Sequence, residues 1–400
     1  MTSQYDLVVV GGGIHGVGVA QAAAARGYST LLIEQFHLAS GTSSRSSKLI
    51  HGGLRYLEQR QFALVRECLQ ERAVLLDIAP DLVQLRRFFL PIYRHTQRRR
   101  RTVHLGLMAY RFLGRFAYGT DFQWLPRREW DTLDGLDTTG LQGVAAYWDG
   151  QTDDEALTHA VMNSALELGA ELAMPATFDR AYLTPEGNVL VHYQFKGMMR
   201  QVHARALVNA TGPWVNDILK RVAPPAPQIQ VQLVQGTHIV VPGTLTQGIY
   251  YTESPEDHRP VFVMPWQEKI LVGTTELVHE GRPHSVQPTS AERAYLLETL
   301  SYYFPHFRSS ETARIQSAFA GLRVLPLAQA GLNRLPRDTI LHADAYPSPR
   351  IISIYGGKLT AYRATAQRVM DRLIPALNTP AQAGDTAKIK LQRGPLRYSM

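Results

Sequence analysis

Gly11, Gly13 and Gly16 form a Gly-x-Gly-x-x-Gly turn between an apolar stretch, Tyr5 to Val10, and a run rich in small residues, and the acid Glu34 closes the segment. Those residue types at that spacing are what a dinucleotide needs. Gly11 allows a tight turn after a strand, Gly13 lets the main chain approach a pyrophosphate, and Gly16 permits close packing of helix on strand. Unpaired amides and the positive end of the helix dipole favour an anion at the helix start. Glu34 can accept hydrogen bonds from a ribose, and an acid there disfavours a 2′-phosphate. Glycine-rich turns also serve structure; the succession of strand, turn, helix and acid is what points to a nucleotide.

The elements that position these residues can be read from periodicity. Tyr5 to Glu34 reads as a βαβ unit, followed by a Ser-rich loop, Ala39 to Lys48, and a helix in which Phe62, Val65, Leu69, Ala73 and Leu76 recur at helical spacing before Pro80. Asn188 to Phe195 and Gln228 to Leu233 alternate apolar and polar residues, as strands do. Pro260 to Thr275 reads as a hairpin turning at Gln267 to Lys269, and Thr289 to Phe304 as a helix. Two later segments return to the nucleotide unit. Arg205 to Trp214 is a strand running into Thr211 and Gly212. Ile351 to Arg368 is a strand, the Gly356-Gly357-Lys358 turn and a helix from about Leu359, which presents a second helix start to a ligand. The Pro-rich Val222 to Gln228 is a crossing point between domains.

Composition bounds the rest. The chain has 400 residues, 45% hydrophobic and 19% charged, with room for two or three domains around a large core. Cys68 is the only cysteine, which excludes an internal disulfide or a cysteine cluster for metal and fits a reducing compartment; it is read as a packing residue. No basic leader precedes the first strand and no run of 18 apolar residues occurs, so neither a secretory signal nor a spanning helix is expected. The net charge of +8 favours anionic partners. Arg94, His95, Arg98 to Arg101 and His104 run into Leu105 to Tyr118, where Leu105, Met108, Phe112 and Phe116 share a helical face. A basic amphipathic segment suits a membrane interface; a packed helix beside a solvated basic loop is the plainer reading. No recognition fold accompanies the arginines, so nucleic acid is not expected. Asp153-Asp154-Glu155 reads as an exposed helix start with acids in its first turn, and no metal is expected.

Several separate blocks resemble the FAD-dependent, aerobic, membrane-associated glycerol-3-phosphate dehydrogenases, within the D-amino-acid-oxidase-like flavoproteins. They are GGGIHGVGVA, SSKLIHGGLRYLE, VNATGPWVND, GTHIVVP, VGTTE, AGLRVLP and YGGKLTAYR, spread over roughly residues 5 to 374. The second is the most specific, because the first is shared by many FAD and NAD enzymes. The resemblance implies an α/β fold: a discontinuous Rossmann-like FAD-binding domain (1–80, 145–225 and 315–375) with an inserted antiparallel-sheet substrate domain (81–144 and 226–314). Residues 376–400 would be a short tail in place of the family's C-terminal helical domain.

For the cofactor, noncovalent FAD, the resemblance implies Gly11, Gly13, Ile14, His15, Gly16, Glu34, Thr42, Ser43, Ser47, Lys48, Leu49, His51, Gly52, Gly53, Thr211, Gly212, Trp214, Gly357, Lys358, Leu359 and Thr360. Thr42, Ser43 and Ser47 would offer hydroxyls near the pyrophosphate and flavin, and Gly357 to Thr360 would set amides at the flavin N1 and C2 carbonyl. For the substrate, sn-glycerol 3-phosphate, it implies Arg55, Tyr56, His238, Arg323, Arg337 and Lys358, with Arg337 and Lys358 assigned mainly to the phosphate and Arg55 and Arg323 to the reacting end. Loss of the hydroxyl proton needs a base or a water relay; His51 and His238 are the candidates, and His51, Arg55, Arg323 and Lys358 make up the catalytic set. The family implies a quinone acceptor, an anionic membrane surface and residence on the cytoplasmic face of the inner membrane, and leaves a homo-oligomer open. Ala361 stands where the family has a second threonine. A relative acting on an amino acid or 2-hydroxy acid, and a flavin-binding module without catalysis, are the alternatives.

Overall fold

The computed structural model describes residues 3–309, 314–327, 339–377 and 384–397. Leu7, Val8, Val9 and Val10 are buried on both faces of the strand Ser3–Val10, as a continuous apolar run in a parallel sheet must be. The strand pairs in parallel with Thr30–Ile33 on one side and Met198–Asn209 on the other. Met198–Asn209 also takes Ile351–Tyr355 in parallel and Val189–Phe195 antiparallel. The two returns expected from the sequence therefore share this first sheet, which continues through Ala176–Leu183 and Val222–Ala223 at one end and Glu171–Ala173 at the other. Helices Ile14–Ala25, Asp154–Glu167 and Tyr362–Leu373 pack on one face, with Val17, Ala20, Leu157, Val161, Val369 and Met370 in a common core.

The second sheet is mixed. Its path runs through Leu277–Val278, Val231–Val241, Lys269–Gly273, Pro260–Trp266, Ile249–Glu253, Val83–Tyr93, Leu141–Thr152 and Leu49–Ile50. All of these pairings are antiparallel except Ile249–Glu253 on Val83–Tyr93. The hairpin turns where expected: Gln267 (φ 48°) and Glu268 (φ 60°) are both left-handed, the conformation a two-residue hairpin loop requires. Helix Ser290–Tyr303, closed at its start by the Thr289–Glu292 capping box, sends Leu296, Leu300 and Tyr303 onto one face with Ile239, Val263 and Val272. Helix Arg100–Leu113 sends Val103 and Leu107 onto the other, with Phe88, Leu90 and Tyr147.

The structure corrects several expectations. Leu141–Thr152 and Ser317–Pro326 fall largely within the segments expected in the FAD-binding domain, yet they hydrogen-bond into the second sheet, on Val83–Tyr93 and Val231–Val241. Both strands are largely buried, and a buried run does not encode which sheet it joins. The helix after the Gly356-Gly357 turn begins at Tyr362, with Ala361 as a cap that offers no side-chain bond. A loop, rather than a helical first turn, therefore faces the ligand space. In helix Phe62–Ile78 the buried stripe is Val65, Cys68, Leu69, Arg72 and Leu75, whereas Phe62 is exposed. The stripe is displaced because Arg72 is buried in an ion pair with Asp149, which apolar periodicity cannot register.

Asp154 is fully buried instead of exposed, paired with Lys48 Nζ at 2.5 Å and accepting from Ser46 Oγ at 2.7 Å. Asp153 does cap its helix, accepting from the Ala156 amide. The tail is anchored over residues 384–397: Leu391 is buried, its amide donates to Ile78 O at 2.7 Å, and Asn163 bonds both Pro395 O and the Arg397 amide.

Candidate active site

Between the two sheets lies a cavity of about 1170 Å³. Apart from Gly16, Lys48 and Gly52, every site residue named from the sequence that lies among the described residues lines it. Arg337 lies outside the described residues.

At one end the walls are main chain. Gly11 takes φ +107°, and a Cβ there would lie 2.8 Å from Ala210 O. Gly16 is turned away from the cavity, where a Cβ would sit 1.8 Å from Gly11 O, so its role is packing. Glu34 lines the cavity and also ties the turn together, accepting from the Gly12 amide at 2.6 Å and the Phe36 amide at 2.8 Å. The short hydroxyls serve partly to brace the loops. Ser43 Oγ accepts from the Ile14 amide at 2.9 Å, Thr42 Oγ1 donates to Leu322 O at 2.8 Å, and Thr211 Oγ1 donates to Asn209 Oδ1 at 2.7 Å. Lys48 points elsewhere: it donates to Asp154 and to Ser44 O, with its ammonium over the rings of Trp266 and Phe319. Burial raises the Asp154 carboxyl above the ordinary range against the pull of Lys48.

At the other end the walls are side chains. The Lys358 ammonium is buried, lies 3.5 Å from the centre of the Tyr56 ring, and has no hydrogen-bond partner among the described residues. Gly53 (φ +78°) makes room for that ring, since a Cβ there would lie 2.2 Å from it. Gly357 (φ +107°) does the same for His15, whose Nε2 a Cβ would meet at 2.2 Å. Burial lowers His15 to about 4.

The His51 amide donates to Thr360 Oγ1 at 3.1 Å, and its ring meets Phe262 edge-on. Its pKa is lowered, first by burial and then by Lys358 and Arg72, with Asp149 opposing, so the ring is neutral near pH 7 and able to take a proton. His238 is sequestered: Nε2 is 2.9 Å from Ser47 Oγ, the ring stacks on Phe319 and a Gly273 Cβ would strike it. Burial, with Arg323 and Lys48, lowers it to about 3. As a candidate base it is therefore the weaker of the two, because it is bonded to Ser47 and packed between strands.

Three groups at this end went unassigned in the sequence. Glu276 pairs with Arg259 and stands 3.7 Å from Arg323, so two arginines and one carboxylate form a chain along the wall. Tyr251 lines the same region. Glu276 sits in the VGTTE block and could have been found there; Arg259, in a turn without periodicity, carries no signal.

A glycine turn after a central parallel strand, with a second sheet completing the cavity, is the arrangement of the dinucleotide-dependent oxidoreductases. Residues 6–363 match the family model described as FAD dependent oxidoreductase, and the chain belongs to that family. Within it, the chain is 38% identical over 407 residues to glycerol-3-phosphate dehydrogenase from Pseudomonas aeruginosa, covering 98% of this chain and 75% of the relative. It is 37% identical over 377 residues to D-erythritol 1-phosphate dehydrogenase from Brucella abortus, covering 92% and 73%. Among solved structures, the FAD complex of glycerol-3-phosphate dehydrogenase from Bacillus halodurans superposes with a TM-score of 0.73 at 28% identity, covering 97% of this chain and 68% of that one.

The residues fit FAD. Gly11, Gly12, Gly13 and Glu34 line one end of the cavity and Gly356, Gly357 and Thr360 the other, so main chain can lie against a long cofactor at both ends.

Proposed function

We propose that the protein oxidises the secondary alcohol of sn-glycerol 3-phosphate to the ketone of dihydroxyacetone phosphate. The observation that carries this reading is the buried Lys358 ammonium, which faces the cavity without a hydrogen-bonded anion among the described residues. A buried cation is costly unless paired, and a phosphate dianion supplies the charge. Arg55 and Arg323 on the same cavity add the planar forks that suit phosphate and alkoxide oxygens. A monocarboxylate substrate would need only one of these three.

Noncovalent FAD, when bound along Gly11, Gly13, Glu34 and the Gly357 to Thr360 loop, would supply the hydride acceptor for the carbinol carbon and the route for electrons to a membrane quinone. His51, neutral at working pH, accepts the hydroxyl proton as the C–H bond breaks. Lys358, with Arg337, holds the phosphate, Tyr56 supports Lys358 through its ring, and Arg55 and Arg323 steady the oxygen on which negative charge grows. His238 fixes Ser47 beside the cofactor and orders that loop.

We assign the exposed face Leu105, Met108, Phe112 and Phe116 to an anionic membrane interface on the cytoplasmic side. Among the described residues no helix is long and apolar enough to cross a membrane.

A turnover assay of the FAD-loaded protein with an artificial electron acceptor tests the substrate. Glycerol 3-phosphate should be oxidised with a higher kcat/KM than erythritol 1-phosphate, an amino acid or a 2-hydroxy acid. Preference for erythritol 1-phosphate would keep the phosphate assignment and overturn the chain length. Preference for a carboxylate substrate would overturn both.

A further inference from the structure

Behind His51, on the side away from the cavity, lies a buried polar cluster that the reaction as described does not use. Asp149 is 1% exposed, and Arg72 and Tyr110 are equally enclosed. The Tyr110 hydroxyl donates to Asp149 Oδ2 at 2.6 Å and accepts from the Gly52 amide at 2.8 Å. Arg72 Nη1 donates to Asp149 Oδ1 at 2.8 Å, and Nη2 donates to Gly119 O at 2.8 Å. We propose that Tyr110 and Asp149 are positioning residues for the oxidation: they grip the Gly52 amide and so fix the His51 imidazole beside the substrate.

The geometry supports this at three points. The consecutive amides of His51 and Gly52 are held from different directions, the first by Thr360 Oγ1 and the second by Tyr110 Oη, which leaves the peptide between them little freedom to rotate. Gly52 has no room to move toward Tyr110, because even a Cβ would come within 2.5 Å of the hydroxyl and 2.6 Å of Leu69. Among the described residues Asp149 is the negative group that raises His51; Lys358 and Arg72 oppose it, and Tyr110 stays neutral, its phenol pushed far up by burial and by Asp149. A buried ion pair is a poor way to gain stability compared with apolar packing. Its presence against the base is explained if it orients and tunes that base.

This inference rests on His51 being the base, and the experiment separates the two. In the FAD-loaded enzyme, Y110F, D149N and H51Q are compared by steady-state kinetics and by NMR titration of labelled histidine, with the His51 signal assigned from its loss in H51Q. Y110F removes one oxygen atom and should lower kcat about tenfold with KM for glycerol 3-phosphate little changed, the size expected for one lost hydrogen bond. D149N should move the His51 titration to lower pH. Because D149N strands Arg72, the Y110F variant decides the matter. Wild-type kcat together with a wild-type His51 titration in Y110F would overturn the positioning role, while a strong H51Q defect would leave the base assignment standing. Full activity in H51Q would overturn both.

Discussion

At the end of the cavity that holds Gly11 and Glu34, the walls are mostly main chain, drawn from the first βαβ unit and its following loop and from the return at Ala210 to Trp214. At the end that holds Lys358, they are side chains brought by both sheets: Arg55 and Tyr56 from the short helix Arg55–Glu58, Arg259 and Glu276 from loops, Arg323 from a strand. The difference predicts how each end fails. Where a backbone cradle is used, the missing atom is the Cβ, and one added methyl group is all or nothing. Where side chains are used, each removal costs a graded amount. Gly16→Val is the sharpest test of the first half, since its Cβ would fall 1.8 Å from Gly11 O and only backbone could yield. The expected outcome is loss of bound FAD, read from flavin absorbance of the purified protein, and with it all turnover. A yellow, active Gly16→Val protein would break the comparison at its rigid end.

At the side-chain end the largest effect falls on the base. His51→Gln should lower kcat by about 10²- to 10⁴-fold with FAD retained. The pH dependence has a definite sign. The imidazole is active when neutral, and its pKa lies below the ordinary 6.5, so the rate should hold through neutral pH and fall only as acid protonates it, with a midpoint under 6.5. His238, lowered to about 3, stays neutral across the range and contributes no limb. A rate profile whose acid limb is centred above 6.5 would point to another base.

The cations rank below this. Lys358→Ala removes the buried ammonium with no described partner, and about 2 to 4 kcal/mol of transition-state binding should go with it, a fall of about 30- to 1,000-fold in kcat/KM. Arg323→Ala should cost less. Glu276 shares its charge between Arg259 and Arg323, so its carboxylate keeps one partner when Arg323 is removed. Equal losses in the two variants would mean that this bridge has no bearing on the substrate, and a larger loss at Arg323 would reverse the order.

The same contrast governs what the sequence reveals. The nucleotide end is legible because a βαβ turn is local: strand, glycine spacing, helix and acid lie within 30 residues and each has a reason visible in the chain. The cationic end is legible only through its resemblance to a family, because nothing in the spacing of Arg55, Arg323 and Lys358 says that they meet. Arg259 escapes both routes. Buried charge is the other blind spot. Asp154 reads as a surface residue until Lys48 is seen beside it, and Arg72 carries no signal at all until Asp149 is; neither pair is local in the chain. Sheet membership of Leu141–Thr152 and Ser317–Pro326 is hidden for the same reason.

The basic segment ahead of the apolar helical face divides along these lines too. Arg98, read from the sequence as part of a headgroup-binding cluster, is instead drawn inward: it donates to both oxygens of Glu58, at 2.6 and 3.0 Å, and to Glu253 at 2.8 Å. Since Glu58 ends the helix that carries Arg55 and Tyr56, neutralising all four arginines would disturb substrate binding as well as any surface. The exposed face is the cleaner probe. Leu105, Met108 and Phe112 are 66%, 51% and 68% exposed on helix Arg100–Leu113, while Phe116 and Tyr118, 63% and 89% exposed, follow just beyond its end. Burying such side chains in a bilayer interface contributes about 1.5 to 3 kcal/mol each at most, so Leu105→Ser with Phe112→Ser should weaken binding to anionic liposomes about tenfold or more. Turnover with a soluble acceptor should be unchanged, because both side chains point away from Val103, Leu107 and Tyr110, which pack inward. The residual binding should fall with added salt, since the exposed Arg99, Arg100 and Arg101 remain and surface charge is screened. Wild-type protein that ignores liposomes at low salt would remove the membrane assignment, and an unchanged double variant would move it to another face.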